Sequence, residues 1–306
     1  MALQHSLKDK FRAWWAGRDL PPGEAEVSDP LGQFDAMLSE EPEGEPEYWD
    51  KKRLNLMQEI WGHGYLVPGG VDQTLTLTKP FAMNKDHQMM DLSPDLGGGT
   101  VAIASEFDCS IQAYQMVPDL LLPLKEHFDS SSVKGKIELV PFNPTTVEFK
   151  TRSIDCILAR EFFCLVEDKV RIFEQINKAM RIYGQLTITD FVLPGNSDQV
   201  PPAVQKWIDQ EEQDYYLWPK ERYEEQIKAL RLDLRISEDI SQTFHGQILS
   251  SFQNFMSRIN DGSLRGTPVQ MMVLIQETER WARCAALLER GQLMVQRYFV
   301  LKSPKE

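Results

Sequence analysis

From residue 88 onward, short apolar runs alternate with stretches whose apolar residues recur every three or four positions. The runs at 88–92, 110–114, 137–141, 154–159 and 185–191 have the length and bounding residues of strands, and the stretches between them read as helices. Pro194-Gly195 closes the last run. A strand near 232–237, a long helical region from about 243 to 290 and a final strand at 294–302 complete the pattern. Strands and helices in strict alternation predict an α/β fold, a mostly parallel sheet with crossover helices.

Upstream the pattern changes. Residues 5–19 form a short amphipathic period with Phe11, Trp14 and Trp15 as apolar anchors, a helix that caps the domain or docks on a partner. Residues 21–50 carry ten acidic side chains and no Lys or Arg, a solvated linker composition. We therefore divide the chain into an N-terminal helix at 1–20, an acidic linker at 21–47 and one domain at 48–302. That domain opens on a helical stretch at 48–61. Within it, residues 196–231 are polar and aromatic, broken at Trp218-Pro219, and read as a helical lid insertion.

Of the 306 residues, 42% are apolar and 26% charged, ordinary values for a globular protein. No apolar run reaches the roughly 18 to 20 residues that cross a bilayer. The first residues lack a signal peptide's apolar core, so the expected location is cytoplasmic. A net charge of −13 argues against nucleic acid as a partner, leaving a small molecule or a protein. Cys109, Cys156, Cys164 and Cys284 are scattered without metal-ligand spacing; buried thiols and no metal are expected.

The candidate chemistry starts at Asp91-Leu92-Ser93-Pro94-Asp95-Leu96-Gly97-Gly98-Gly99-Thr100, a glycine-rich turn between a strand and a helix, the arrangement that binds phosphates and cofactors in doubly wound folds. Trp61-Gly62-His63-Gly64-Tyr65-Leu66-Val67-Pro68-Gly69-Gly70 precedes it, and Ile154 to Arg160 and Tyr183 to Ile188 follow. In order and spacing these segments resemble the class I S-adenosylmethionine (SAM) methyltransferases over roughly residues 61–192, with a fitting tail to 302. Within that superfamily the closest resemblance is to the phosphoethanolamine methyltransferase-like group, whose YG-x-x-Y-x-S-x-GG segment folds over the cofactor and whose turn reads LGGG. The resemblance implies a Rossmann-like sheet of seven strands, with 88–92 central and 294–302 an antiparallel edge or near-edge strand. It also implies a SAM site built from Tyr65, Gly69, Gly70, Asp91, Gly97, Gly98, Gln115, Met116, Asn143 and Arg160.

Several positions depart from the family pattern. Family members read D-x-G-x-G at the turn; here Ser93 and Asp95 replace the glycines, and Pro94 between them has no N–H to donate. Gln115 replaces the ribose-binding acid and lacks its charge, and Asn143 aligns with the acid that reads adenine. The family's catalytic Tyr and His fall on Met57 and Leu165, neither of which moves a proton. His63 and Tyr65 are possible replacements, and no catalytic residue is assigned. Glu161, Glu167 and Asp168 offer carboxylates, with helix capping the simpler role for the last two. Tyr215, Tyr216, Trp218 and Tyr223 either line a substrate cleft or hold the lid down. Together the departures imply a methyltransferase-fold protein with weakened or lost SAM binding, a pseudoenzyme or partner subunit. The alternatives are an active SAM-dependent methyltransferase on a small-molecule acceptor and a cleft adapted to another metabolite.

Overall fold

The computed structural model describes residues 49–196, 199–211, 213–261 and 268–304. The helix expected at 5–19 and the acidic linker at 21–47 lie outside them. The first described helix, α1 (Lys51–Trp61), starts where the Asp50 carboxylate accepts the Arg53 backbone N–H at 2.7 Å. It buries Leu54, Met57, Ile60 and Trp61 and stops at Gly62, whose φ of 102° suits glycine. A loop then leads to α2 (Gly70–Thr78).

The sheet follows. Strand β1 (Gln88–Asp91), helix α3 (Gly98–Phe107), β2 (Ser110–Gln115), α4 (Leu121–Ser130), β3 (Ile137–Pro141), β4 (Ile154–Arg160), α5 (Lys169–Ala179) and β5 (Met180–Leu193) alternate as expected. Then come α6 (Pro202–Ile208), β6 (Trp218–Pro219), α7 (Lys220–Ala229), β7 (Asp233–Asp239), α8 (Ser241–Asn260), α9 (Pro268–Glu289) and β8 (Met294–Leu301). The strand order is β3-β2-β1-β4-β5-β8-β7. β1 pairs in parallel with both β2 and β4, so 88–92 is an inner strand, and β8 lies antiparallel between β5 and β7, one place from the edge.

Burial explains the order. β4 is buried at six of its seven positions, five of them apolar and the sixth Arg160, as a strand covered on both faces must be. β7 reads Asp-Leu-Arg-Ile-Ser-Glu-Asp, has no fully buried residue, and forms the edge. Three differences from the sequence reading stand out. β5 begins at Met180, five residues before the expected strand: Met180 pairs with Ile154, and residues 181–184 bulge opposite Asp155 before pairing resumes at Gln185. Trp218-Pro219 forms an eighth, two-residue strand beside Val192 and Leu193 instead of a plain break in the lid. The long helical region is two helices, α8 and α9, packed on each other and on α1. Among the described residues no helix is long and apolar enough to cross a membrane, and no group of metal-ligating side chains has the geometry to hold an ion. All four cysteines are free and buried.

Candidate functional site

The crevice of a doubly wound sheet opens at the carboxyl ends of its strands, where the strand order reverses. Here that place is the ends of β1, β2 and β4, which carry Asp91, Gln115 and Arg160, all buried. The Asp91 carboxylate accepts from the Ser93 N–H at 3.1 Å and from the Thr100 hydroxyl at 2.7 Å. Burial raises its pKa, and those two bonds counter the rise. The turn thus closes upon itself, with Gly97 at φ 94° serving as the left-handed N-cap of α3.

The flap at 61–70 lies directly on this turn. Gly98, the first residue of α3, donates its N–H to the Gly64 carbonyl at 3.0 Å. A Cβ on Gly98 would sit 2.7 Å from the Tyr65 ring and 2.8 Å from the His63 carbonyl, and one on Gly64 would sit 2.5 Å from the Gly98 Cα. The missing side chains therefore let two backbones touch. Asp95, at φ 50°, joins the same contact by accepting the Leu66 backbone N–H. Burial pushes its carboxyl up to about 6, against the pull of the Arg160 guanidinium.

Arg160 spans the crevice. Its backbone N–H donates to the Ser93 hydroxyl at 2.7 Å; Nη1 donates to Thr74 Oγ1 at 2.9 Å and Nη2 to the Pro68 carbonyl at 3.1 Å. One side chain thereby ties β4 to the flap and to α2. Its Nε stands 4.0 Å from Glu161, a residue at φ 45° whose carboxylate accepts the Thr189 hydroxyl at 2.8 Å and whose pKa burial raises to about 7.

The other expected site residues divide. Gln115 is engaged at both ends: Oε1 accepts the Val117 N–H at 2.8 Å and Nε2 donates to the Asp95 carbonyl at 3.4 Å. Met116 is half-buried against the core beneath β4. Gly69 and Gly70, at φ 105° and 53°, start α2, where Gln247 of α8 reaches across to Gln73 at 2.8 Å. Asn143 stays apart; it is exposed, and its side chain accepts from Thr145 in a local turn. Tyr65, Gly98, Asp91, Gln115 and Arg160 are therefore one cluster, and Asn143 is not in it.

Met57 is fully buried and Leu165 half-buried in the same apolar core. Asp168 caps α5, accepting the Arg171 N–H at 3.0 Å, while Glu167 is exposed. Tyr223 is buried and donates to Asp190, and Tyr215 packs on Trp207 and Phe191, so both hold the lid region down. Asp190 itself carried no signal in the sequence. Neither did Lys169, a fully buried lysine whose Nζ donates to the Val166 and Tyr216 carbonyls and whose pKa burial lowers to about 8. Asp190 lies inside an apolar run and Lys169 in a charged stretch, and they acquire partners from segments 33 and 47 residues away.

No protein-family model matches the chain. It is 22% identical over 134 residues to phosphoethanolamine N-methyltransferase 3 of Arabidopsis thaliana, covering 44% of this chain and 27% of that protein. It is 21% identical over 190 residues to phosphoethanolamine N-methyltransferase of Plasmodium falciparum (isolate 3D7), covering 61% and 69%. The fold superimposes on Haemonchus contortus phosphoethanolamine N-methyltransferase 2, solved with phosphomonomethylethanolamine and S-adenosylhomocysteine (SAH), at a TM-score of 0.72 and 19% identity, over 85% of this chain and 59% of that one.

Topology, glycine turn and these likenesses define the fold as that of the class I SAM-dependent methyltransferases. Within the class, the curated sequence relatives are phosphoethanolamine N-methyltransferases, and the chain matches 27% and 31% of the length of the first two.

Proposed function

We propose that this chain is a methyltransferase-fold protein whose cofactor crevice is filled by its own flap, with SAM binding weak or lost, and that it works as a pseudoenzyme or partner subunit. The supporting observation is that three groups a cofactor would need, the Gln115 amide, the Gly98 N–H and the Arg160 guanidinium ends, already have partners within the chain. The Gln115 amide, at the position of the ribose acid, bonds Val117 and Asp95, and the first N–H of α3 bonds the Gly64 carbonyl. Arg160 is committed to Pro68 and Thr74. A ligand entering here displaces each of these bonds without gaining a charged acceptor for its ribose. The residues present do not fit SAM in this closed arrangement, so no transfer step is derived through it.

The second reading is an active SAM-dependent methyltransferase on a small acceptor, favoured by the relatives, all phosphoethanolamine N-methyltransferases over the shared stretch. It requires the flap to open and the Gln115 amide to turn toward the ribose. Thermal melting with 1 mM SAH, a concentration of our choosing, separates the two. A site with a Kd near 10 μM gains about 2.7 kcal/mol, which raises Tm by roughly 5–10 °C. The proposal expects a rise below about 3 °C, equivalent to a Kd weaker than about 100 μM.

A further inference from the structure

We propose that the contact between His63 of the flap and His127 of α4 is an acid-operated release, which keeps the flap shut at neutral pH and frees it as His127 gains a proton. This deepens the reading above, since it supplies the condition under which the self-filled crevice opens, and it rests on that reading for its consequence though not for its geometry.

The two rings pack with centroids 4.9 Å apart and their planes tilted by 33°. His127 is wedged at the junction where flap, turn and α4 meet. Cβ atoms built on Gly64 and Gly97 would come within 3.3 Å and 3.0 Å of its ring. The flap bears glycines at positive φ near both ends, Gly62 at 102° and Gly69 at 105°, giving it two pivots. The cleft that holds the pair is bordered by Lys51 of α1 and Glu126 of α4, with neutral Asn55, Gln58, Leu96 and Ser130 around them. Lys51 disfavours a charged His127 and Glu126 favours it, and on its other sides His63 is bordered by Glu59 and Arg258 and by Asp72. Burial first, and the neighbouring His63 second, hold His127 below the ordinary histidine range. A ring whose pKa is lower when closed than when open favours closure above its open-state value, and that preference is lost as the pH falls through it.

Glu161, on the β4 side of the turn, has a carboxyl pushed up to about 7, so acid discharges it and tightens the core; Asp95, pushed up to about 6, faces the flap itself, and its discharge opposes the release that a charged His127 drives. With the release, flap and core move in opposite directions, which gives the test its contrast. Amide exchange of the full chain is measured at pH 7.5 and pH 5.5 and corrected for intrinsic rates. Exchange across 61–70 is expected to rise about tenfold on acidification, with β4 amides unchanged or slower. The His63→Gln variant, at an exposed position, and the double variant with His127→Gln should flatten the flap response. Equal acid loosening in wild type and His63→Gln, or a parallel rise in β4, overturns the proposal. A wild-type chain that binds SAH in the low micromolar range at pH 7.5 while keeping this exchange pattern would instead sink the self-filled crevice and leave the release standing.

Discussion

Arg160 is the cation at the centre of a buried acidic neighbourhood: Asp91, Asp95 and Glu161 all feel its charge, and each has a pKa raised chiefly by burial. Removing such a centre leaves carboxylates uncompensated in a dry site. Arg160→Leu is expected to destabilise the fold by about 3–5 kcal/mol in urea denaturation, the cost of breaking a buried charge group. A loss under about 1 kcal/mol would mean that the guanidinium does not bridge β4 and the flap. The acids themselves set a pH dependence. Raised values near 6 for Asp95 and Asp190 and near 7 for Glu161 mean that their contribution is complete below the unfolded carboxylate range and is lost as pH rises through 6 and 7. Stability should therefore fall between pH 5 and pH 8, by an amount that for Glu161 alone is bounded at about 3 kcal/mol. Glu161→Gln should reduce that slope; an unchanged slope assigns it elsewhere.

At the scale of elements, the contact between flap and turn depends on bare backbone. Gly98→Ala places a methyl against Tyr65 and the His63 carbonyl, while Gly135, in a short helical turn before β3, has open space around it. We expect Gly98→Ala to cost about 1–3 kcal/mol through overpacking and to speed amide exchange across 61–70. Gly135→Ala should change stability by less than about 0.5 kcal/mol. Equal, small effects at both positions would show that the flap does not rest on the turn. These same elements mark how far the sequence could be read. β1, β2, β3 and β4 were legible because short apolar runs bounded by polar residues leave little choice of period. The start of β5 was not, since Arg181, Tyr183 and Gly184 look like a turn and stand without a β4 partner between the paired Met180 and Gln185. In the site, the Asp91–Thr100 bond spans nine residues and sits inside one motif. The bonds of Arg160 to Thr74 and Pro68 span 86 and 92, and no local pattern announces them.

At the scale of the molecule, a sheet that usually presents its strand ends to a cofactor here presents them to its own chain. Sequence departures and closed geometry bear on the same positions: Ser93 binds the Arg160 backbone, Asp95 binds Leu66, and Gln115 binds Val117. Ser93, Asp95 and Gln115 thus each have a partner inside the protein, and on the proposed reading the three act together as a closure. The most direct measurement of this is isothermal calorimetry of the full chain with SAM and with SAH at pH 7.5. No saturable heat is expected below about 100 μM for either, corresponding to less than about 5.5 kcal/mol of binding free energy. A single-site isotherm with a low-micromolar Kd for either ligand would contradict it and establish an open, working cofactor site.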